Sequence, residues 1–149
     1  MLTSYEGETP AGVRSVGHVS RDELARLYRT AAGLVFPSLF EGFGQPPLEA
    51  MASGCPVVAA RAGGIPDLID PGENGHLYAP DDPADAIDAI RALLARPSLR
   101  RFTAQQARKR AEGSSWQRET RRLVLEYRKA IVIASQRGLL GRIAERVLG

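Results

Sequence analysis

The chain has 149 residues, 44% of them hydrophobic and 25% charged, with a formal net charge of +3. That composition suits one globular domain with a sizeable core and excludes a disordered or fibrous chain. A single cysteine excludes an internal disulfide, and no apolar run approaches the roughly 20 residues that a spanning helix needs.

The first residues, MLTSYEGETP, carry neither a positive region nor an apolar core, so they do not read as a secretory signal. Residues 1–12 are expected to be a leader or loop, and the chain to be cytoplasmic. Val13 begins a stretch, 13–16, that reads as a short strand closed by Gly17. Ser20 with Glu23 is a capping-box signature. The helix it opens sets Leu24, Leu27, Tyr28 and Ala31 on one stripe, and Gly33 ends it.

LVFP is a buried strand stopped by Pro37. After it comes FPSLFEGFGQPPLEAMASG, then a helix expected over 47–53 with Gly54 at its C′ position. PVVAA is a continuous apolar run suited to a strand covered on both faces, with Cys55 beside it as a small buried side chain. The turn RAGGIP, a short helix at 66–69, the turn DPGENG and a brief strand at 76–78 follow. This alternation of short strands and helices predicts βα units: an α/β, doubly wound, Rossmann-like parallel sheet.

From Asp82 onward the pattern is helical. Ile87, Ile90 and Leu94 form one stripe, Arg96 and Pro97 interrupt it, and Leu99, Phe102 and Gln106 begin another. Trp116 is expected to anchor a long helix carrying Thr120, Leu123, Val124, Tyr127 and Ile131 on one face. Near the end, Leu140, Ile143 and Val147 share a face, with Arg142 and Arg146 off it. The charge is segregated: residues 1–90 hold 5 Lys/Arg against 13 Asp/Glu, and residues 91–149 hold 15 against 4. A basic tail of this kind touches phosphates, an anionic membrane surface or an acidic partner, or simply solvates helix faces. No nucleic-acid motif accompanies it, so no nucleic-acid partner is expected.

Glu41, Gly42, Phe43 and Gly44 directly follow a parallel strand, and ligands of such sheets bind beyond the strands' carboxyl ends. Bare glycine backbone lets a bulky ligand reach the amides, a helix N-terminus favours a phosphate, and carboxylates accept paired hydrogen bonds from vicinal hydroxyls. Together these suit a nucleotide sugar. Each feature also has a purely architectural use: Glu49, placed in the first helical turn, favours the helix dipole, and Glu41 could cap an orphan amide. His18 and His76 lie far apart, and no metal-ligand cluster is evident.

The run EGFGQPPLEAMASGCPVVAARAGGIPDLI resembles the two-glutamate region of retaining GT-B glycosyltransferases, especially glycosyltransferase family 4. GHVSRDELARLYRTAAGLVFPS before it and NGHLYAPDDPADAIDAIRALL after it are similar to the C-terminal domain of that family. The resemblance implies a partial donor-binding domain at 13–113, incomplete on its N-terminal side, and a helical tail at 114–149. It implies retaining hexosyl transfer from a nucleotide-diphospho-sugar to a sugar or lipid-linked acceptor, without an obligatory metal or other cofactor. Glu41 would face the transferred sugar at the reaction centre, the amides of Gly42, Phe43 and Gly44 would contact sugar and phosphate, and Glu49 would hold the ribose diol. Pro46 and Pro47 lack amides that would otherwise face the diphosphate, which leaves Gln45 as the nearest donor. The implied partners are the donor and an acceptor-binding domain or chain, with peripheral contact to the inner membrane face through the basic tail. The alternative is a non-catalytic Rossmann-like module that keeps the fold.

Overall fold

The computed structural model describes the backbone of residues 9–114 and 116–148, and the side chains of those residues except 116, 136, 137 and 139–148. The chain divides into two compact units, Met1–Glu112 and Gly113–Gly149. The first contains α1 (Arg21–Thr30), β1 (Leu34–Phe36), α2 (Gln45–Ala52), β2 (Val57–Ala60), a 3-10 turn (Ile65–Asp67), β3 (His76–Tyr78), α3 (Pro83–Ala95) and α4 (Pro97–Glu112).

The three strands are parallel and run in the order β1-β2-β3, with Leu34 opposite Val57 and Val58 opposite His76. The central strand is buried along its whole length because helices cover both faces. Strand alternation divides its side chains. Val57 and Ala59 join a core with Ala50 and Met51 of α2 and Ala107 and Ala111 of α4. Val58 and Ala60 join a second core with Ala86 and Leu93 of α3. This is the doubly wound α/β arrangement expected from the sequence.

Local signals explain the element ends. The Ser20 hydroxyl accepts the Glu23 amide at 3.2 Å and starts α1. The carboxylate of Glu23 turns to Arg26 instead of closing the capping box. Gly54, at φ +75, ends α2: its amide donates to the Met51 carbonyl at 2.9 Å, and the Cys55 amide to the Ala50 carbonyl at 2.9 Å. That pair of bonds is a Schellman motif. Arg96 and Pro97 separate α3 from α4 as expected.

Several expectations are corrected. Residues 13–16 form no strand, since the β ladder beside β1 is made by β2 alone among the described residues and an isolated segment has no pairing partner. Helix α1 ends at Thr30, so Ala31 is an exposed C-cap and Gly33 lies beyond the helix end. Helix α2 begins at Gln45, because its prolines are compatible with a first helical turn; Glu49 therefore lies past that turn. The expected helix at 66–69 is a three-residue 3-10 turn. The buried faces of α3 and α4 are carried by Ala86, Leu93, Thr103, Ala107 and Ala111, while Ile87, Leu94 and Phe102 are exposed.

In the second unit, α5 (Trp116–Leu148) is one continuous helix. Leu123, Val124, Tyr127 and Ile131 of its expected stripe are exposed. The anchoring role of Trp116 and the face of Leu140, Ile143 and Val147 fall on side chains outside the described ones. No helix among the described residues is long and apolar enough to cross a membrane.

Candidate functional site

Parallel strands bring their carboxyl ends to one rim, and three loops leave it: 37–44 after β1, 61–64 after β2 and 79–82 after β3. The start of the loop after β2 is tied to the end of β3, where the Arg61 amide donates to the Tyr78 carbonyl at 2.8 Å. All sequence-predicted site residues lie on the first loop or on the helix it feeds.

Both carboxylates are tied to the start of α2, and to adjacent residues. Glu41 accepts the backbone amide of Gly44 through Oε1 at 3.2 Å. Glu49 accepts the side-chain amide of Gln45 through Oε1 at 3.3 Å. The amide-capping role weighed for Glu41 from the sequence is therefore realised. Pro46 and Pro47 have no amide hydrogens, and the first helical bond runs from the Leu48 amide to the Gly44 carbonyl at 3.0 Å. With the Gly44 amide taken by Glu41, the Gln45 amide is the remaining donor of that helix start, on an exposed residue.

Gly44 is the N-cap, at φ +86, and is itself buried. A side chain there would press against Ile65 Cδ1 at 2.5 Å and Leu68 Cδ1 at 3.0 Å. At Gly42, by contrast, a Cβ would meet nothing within 4 Å. Gly44 is thus a packing glycine and Gly42 an open one. On the helix side, Glu49 adds its charge to the surroundings of Tyr28, whose phenol is pushed up chiefly by burial and then by the charges of Glu49 and Cys55.

Sequence reading missed two features of this rim. One is Gly63 and Gly64, which pack backbone to backbone on Glu41 and Gly42; the available signal was a glycine doublet in the turn that follows a buried strand. The other is an apolar display: Phe40 is 93% exposed, Leu39 72% and Phe43 48%. Two cavities, of about 180 and 120 Å³, lie elsewhere, one beside Leu34, Val35 and Leu93 and one beside His76, Leu99 and Thr103. Gly42, Phe43 and Gln45 are exposed, so the loop forms an open rim. Among the described residues no three His, Cys, Asp or Glu side chains are placed to share a metal ion.

A profile of the family described as glycosyl transferases group 1 matches residues 3–110. The chain belongs to that family. It is 40% identical over 126 residues to the MMP alpha-(1->4)-mannosyltransferase of Mycolicibacterium hassiacum, covering 80% of this chain and 31% of that protein. It is 39% identical over 119 residues to the sulfoquinovosyl transferase SQD2 of Arabidopsis thaliana, covering 78% of this chain and 23% of that one. Among solved structures, sucrose-phosphate synthase from Thermosynechococcus elongatus superposes with a TM-score of 0.71 at 33% identity, over 79% of this chain and 30% of that chain. Anabaena HepE, solved in complex with UDP, gives a TM-score of 0.64 at 26% identity, over 70% of this chain and 29% of that chain. The fold is that of a GT-B C-terminal domain, and this group 1 chain spans about a quarter to a third of the length of these relatives.

Proposed function

We propose that this chain supplies the donor-binding part of a retaining, family 4 type glycosyltransferase that moves a hexosyl group from a nucleotide-diphospho-sugar to a sugar or lipid-linked acceptor. The observation that carries the reading is the open loop at the sheet's ligand-facing rim, with Glu41 and Glu49 both held at the start of α2 beside the exposed residue Gln45. The relatives named above support it: one is a mannosyltransferase, and another was solved with UDP.

Each residue then has a task. The Gln45 amide and the positive end of α2 receive a phosphate oxygen. Glu41 moves from the Gly44 amide to the transferred sugar, which frees that amide for the donor in the same step. There its charge opposes the positive character that develops at the anomeric carbon as the diphosphate departs. Glu49 exchanges the Gln45 side chain for the paired hydroxyls of the ribose. Gly42 leaves room for the sugar and Phe43 presents its amide. Attack on the face the diphosphate leaves retains configuration, and a further domain or chain binds the acceptor. Electrostatic stabilisation of this kind needs a site closed to water, so the chain alone is expected to turn over little donor.

Titration of the chain with GDP-, UDP- and ADP-sugars by calorimetry tests the reading. One class should bind, and Glu49→Ala should weaken it by about 1 to 3 kcal/mol. Absence of binding by every class, or equal binding by Glu49→Ala, overturns it.

A further inference from the structure

We propose that Gly63 and Gly64 are the positioning residues of the donor loop, fixing the backbone of Glu41 and Gly42 through main-chain contacts that no residue with a side chain permits. The inference rests on the donor-site reading for its functional meaning, though not for its geometry.

The Gly64 amide donates to the Glu41 carbonyl at 3.0 Å. Gly63 sits at φ +52, and a Cβ there would overlap that same carbonyl. A Cβ on Gly64 would strike the Gly42 carbonyl and come within 3.4 Å of Phe43 Cα. Gly63 is therefore required by contact as well as by conformation, and Gly64, at φ -79, by contact alone. Gly72 shows the difference, having φ +83 with nothing within 4 Å of where a Cβ would sit.

The same turn holds the far end of the loop. Ile65, fully buried, and Leu68 lie against Gly44, where their Cδ1 atoms would meet an added Cβ at 2.5 and 3.0 Å. The turn is in turn tied to α4, where the Arg110 guanidinium donates to the Asp67 carbonyl. One short segment thus grips the loop from behind at 41, 42 and 44, while Gly42 stays open in front. A loop fixed this way meets its ligand with little ordering left to do, which is how rigid support raises affinity.

Hydrogen exchange on the full chain without donor, together with calorimetry against the nucleotide sugars, tests the clamp. Gly64→Ala should speed exchange of the 41–45 amides about tenfold or more, while the β2 amides stay within about twofold. Donor binding should weaken by about tenfold. Gly72→Ala, which strains the backbone at φ +83 but meets no neighbour and lies far from the loop, should leave both readouts within about twofold. Unchanged exchange at 41–45 in folded Gly64→Ala, or an equal affinity loss in Gly72→Ala, overturns the clamp. Should Gly64→Ala fail to fold, Ile65→Val, which removes the atom facing Gly44, should still speed exchange at Gly44 and Gln45; no change there overturns the clamp as well. Loop release in a parent chain that binds no nucleotide sugar removes the donor reading and supports the clamp, whereas donor binding with an unmoved loop in Gly64→Ala does the reverse.

Discussion

The phenol of Tyr28, on α1, is held above the ordinary tyrosine range by burial first and then by the negative charge of Glu49 on α2. Glu49→Gln should lower the Tyr28 pKa part of the way, because burial remains. The folded state grips this proton more tightly than the unfolded state, so the stability it contributes is present at neutral pH and is lost as pH rises through the raised phenol pKa. Site-resolved NMR titration reads the shift. A Tyr28 that titrates identically in Glu49→Gln would mean the carboxylate does not face α1.

Gly44→Ala should destabilise the chain by about 2 kcal/mol, combining a left-handed backbone with pressure on Ile65 and Leu68. Ile65→Val removes the nearer of the two methyl groups, so the double variant should lose less than the sum of the single ones. Urea denaturation of the four proteins closes the cycle. Simple additivity would show that the contact plays no part.

Cys55 is fully buried, and burial pushes its thiol up to about 11 from an ordinary value of 9.0. At pH 8 alkylation by iodoacetamide should proceed at the rate of opening and not at that of a free thiol. Since the folded pKa is the higher one, the contribution is complete below about pH 9 and disappears by about pH 11, a loss of up to about 3 kcal/mol from this group. Labelling as fast as glutathione would contradict the buried placement.

Asn74 is buried in the 70–75 turn, where its side chain accepts the Asp70 amide at 2.9 Å and donates to the Leu68 carbonyl at 3.3 Å. Asn74→Ala strands both partners and should lower stability by about 2 to 3 kcal/mol. The turn feeds β3 at the end opposite the donor loop, so nucleotide-sugar affinity of the folded variant should be unchanged. A lowered melting temperature with intact binding is the expected pair of results in calorimetry.

The strands were legible because each is a short run preceded by Gly or Pro: Leu34–Phe36, Val57–Ala60 and His76–Tyr78; the burial expected of the first is not met, since Val35 is exposed. The Ser20 cap and the Gly54 stop were legible for local reasons too, since each acts within a few residues of itself. The packed faces of α3 and α4 were legible only in part, through Ile90 and Leu99, which pack against the second core. Reading by bulk favoured Ile87, Leu94 and Phe102, whereas the close approach of α4 to α2 uses Ala107 and Ala111. At the candidate site, the loop's position on the sheet was legible from the strand before it. The hold of Gly64 on Glu41 spans two separate βα units, and nothing near Glu41 in the chain announces it. Paired prolines look like a helix boundary, yet here they occupy the first turn of α2, so the helix starts two residues before Pro47.

Strands that all point the same way give the sheet two ends with unequal duties. The end that carries the 70–75 turn takes no part in the donor loop, and Gly72 and Glu73 at its tip are exposed. A fluorescent reporter or affinity tag spliced between those two residues would therefore ride on the scaffold's quiet side, leaving the opposite end unobstructed for kinetic work.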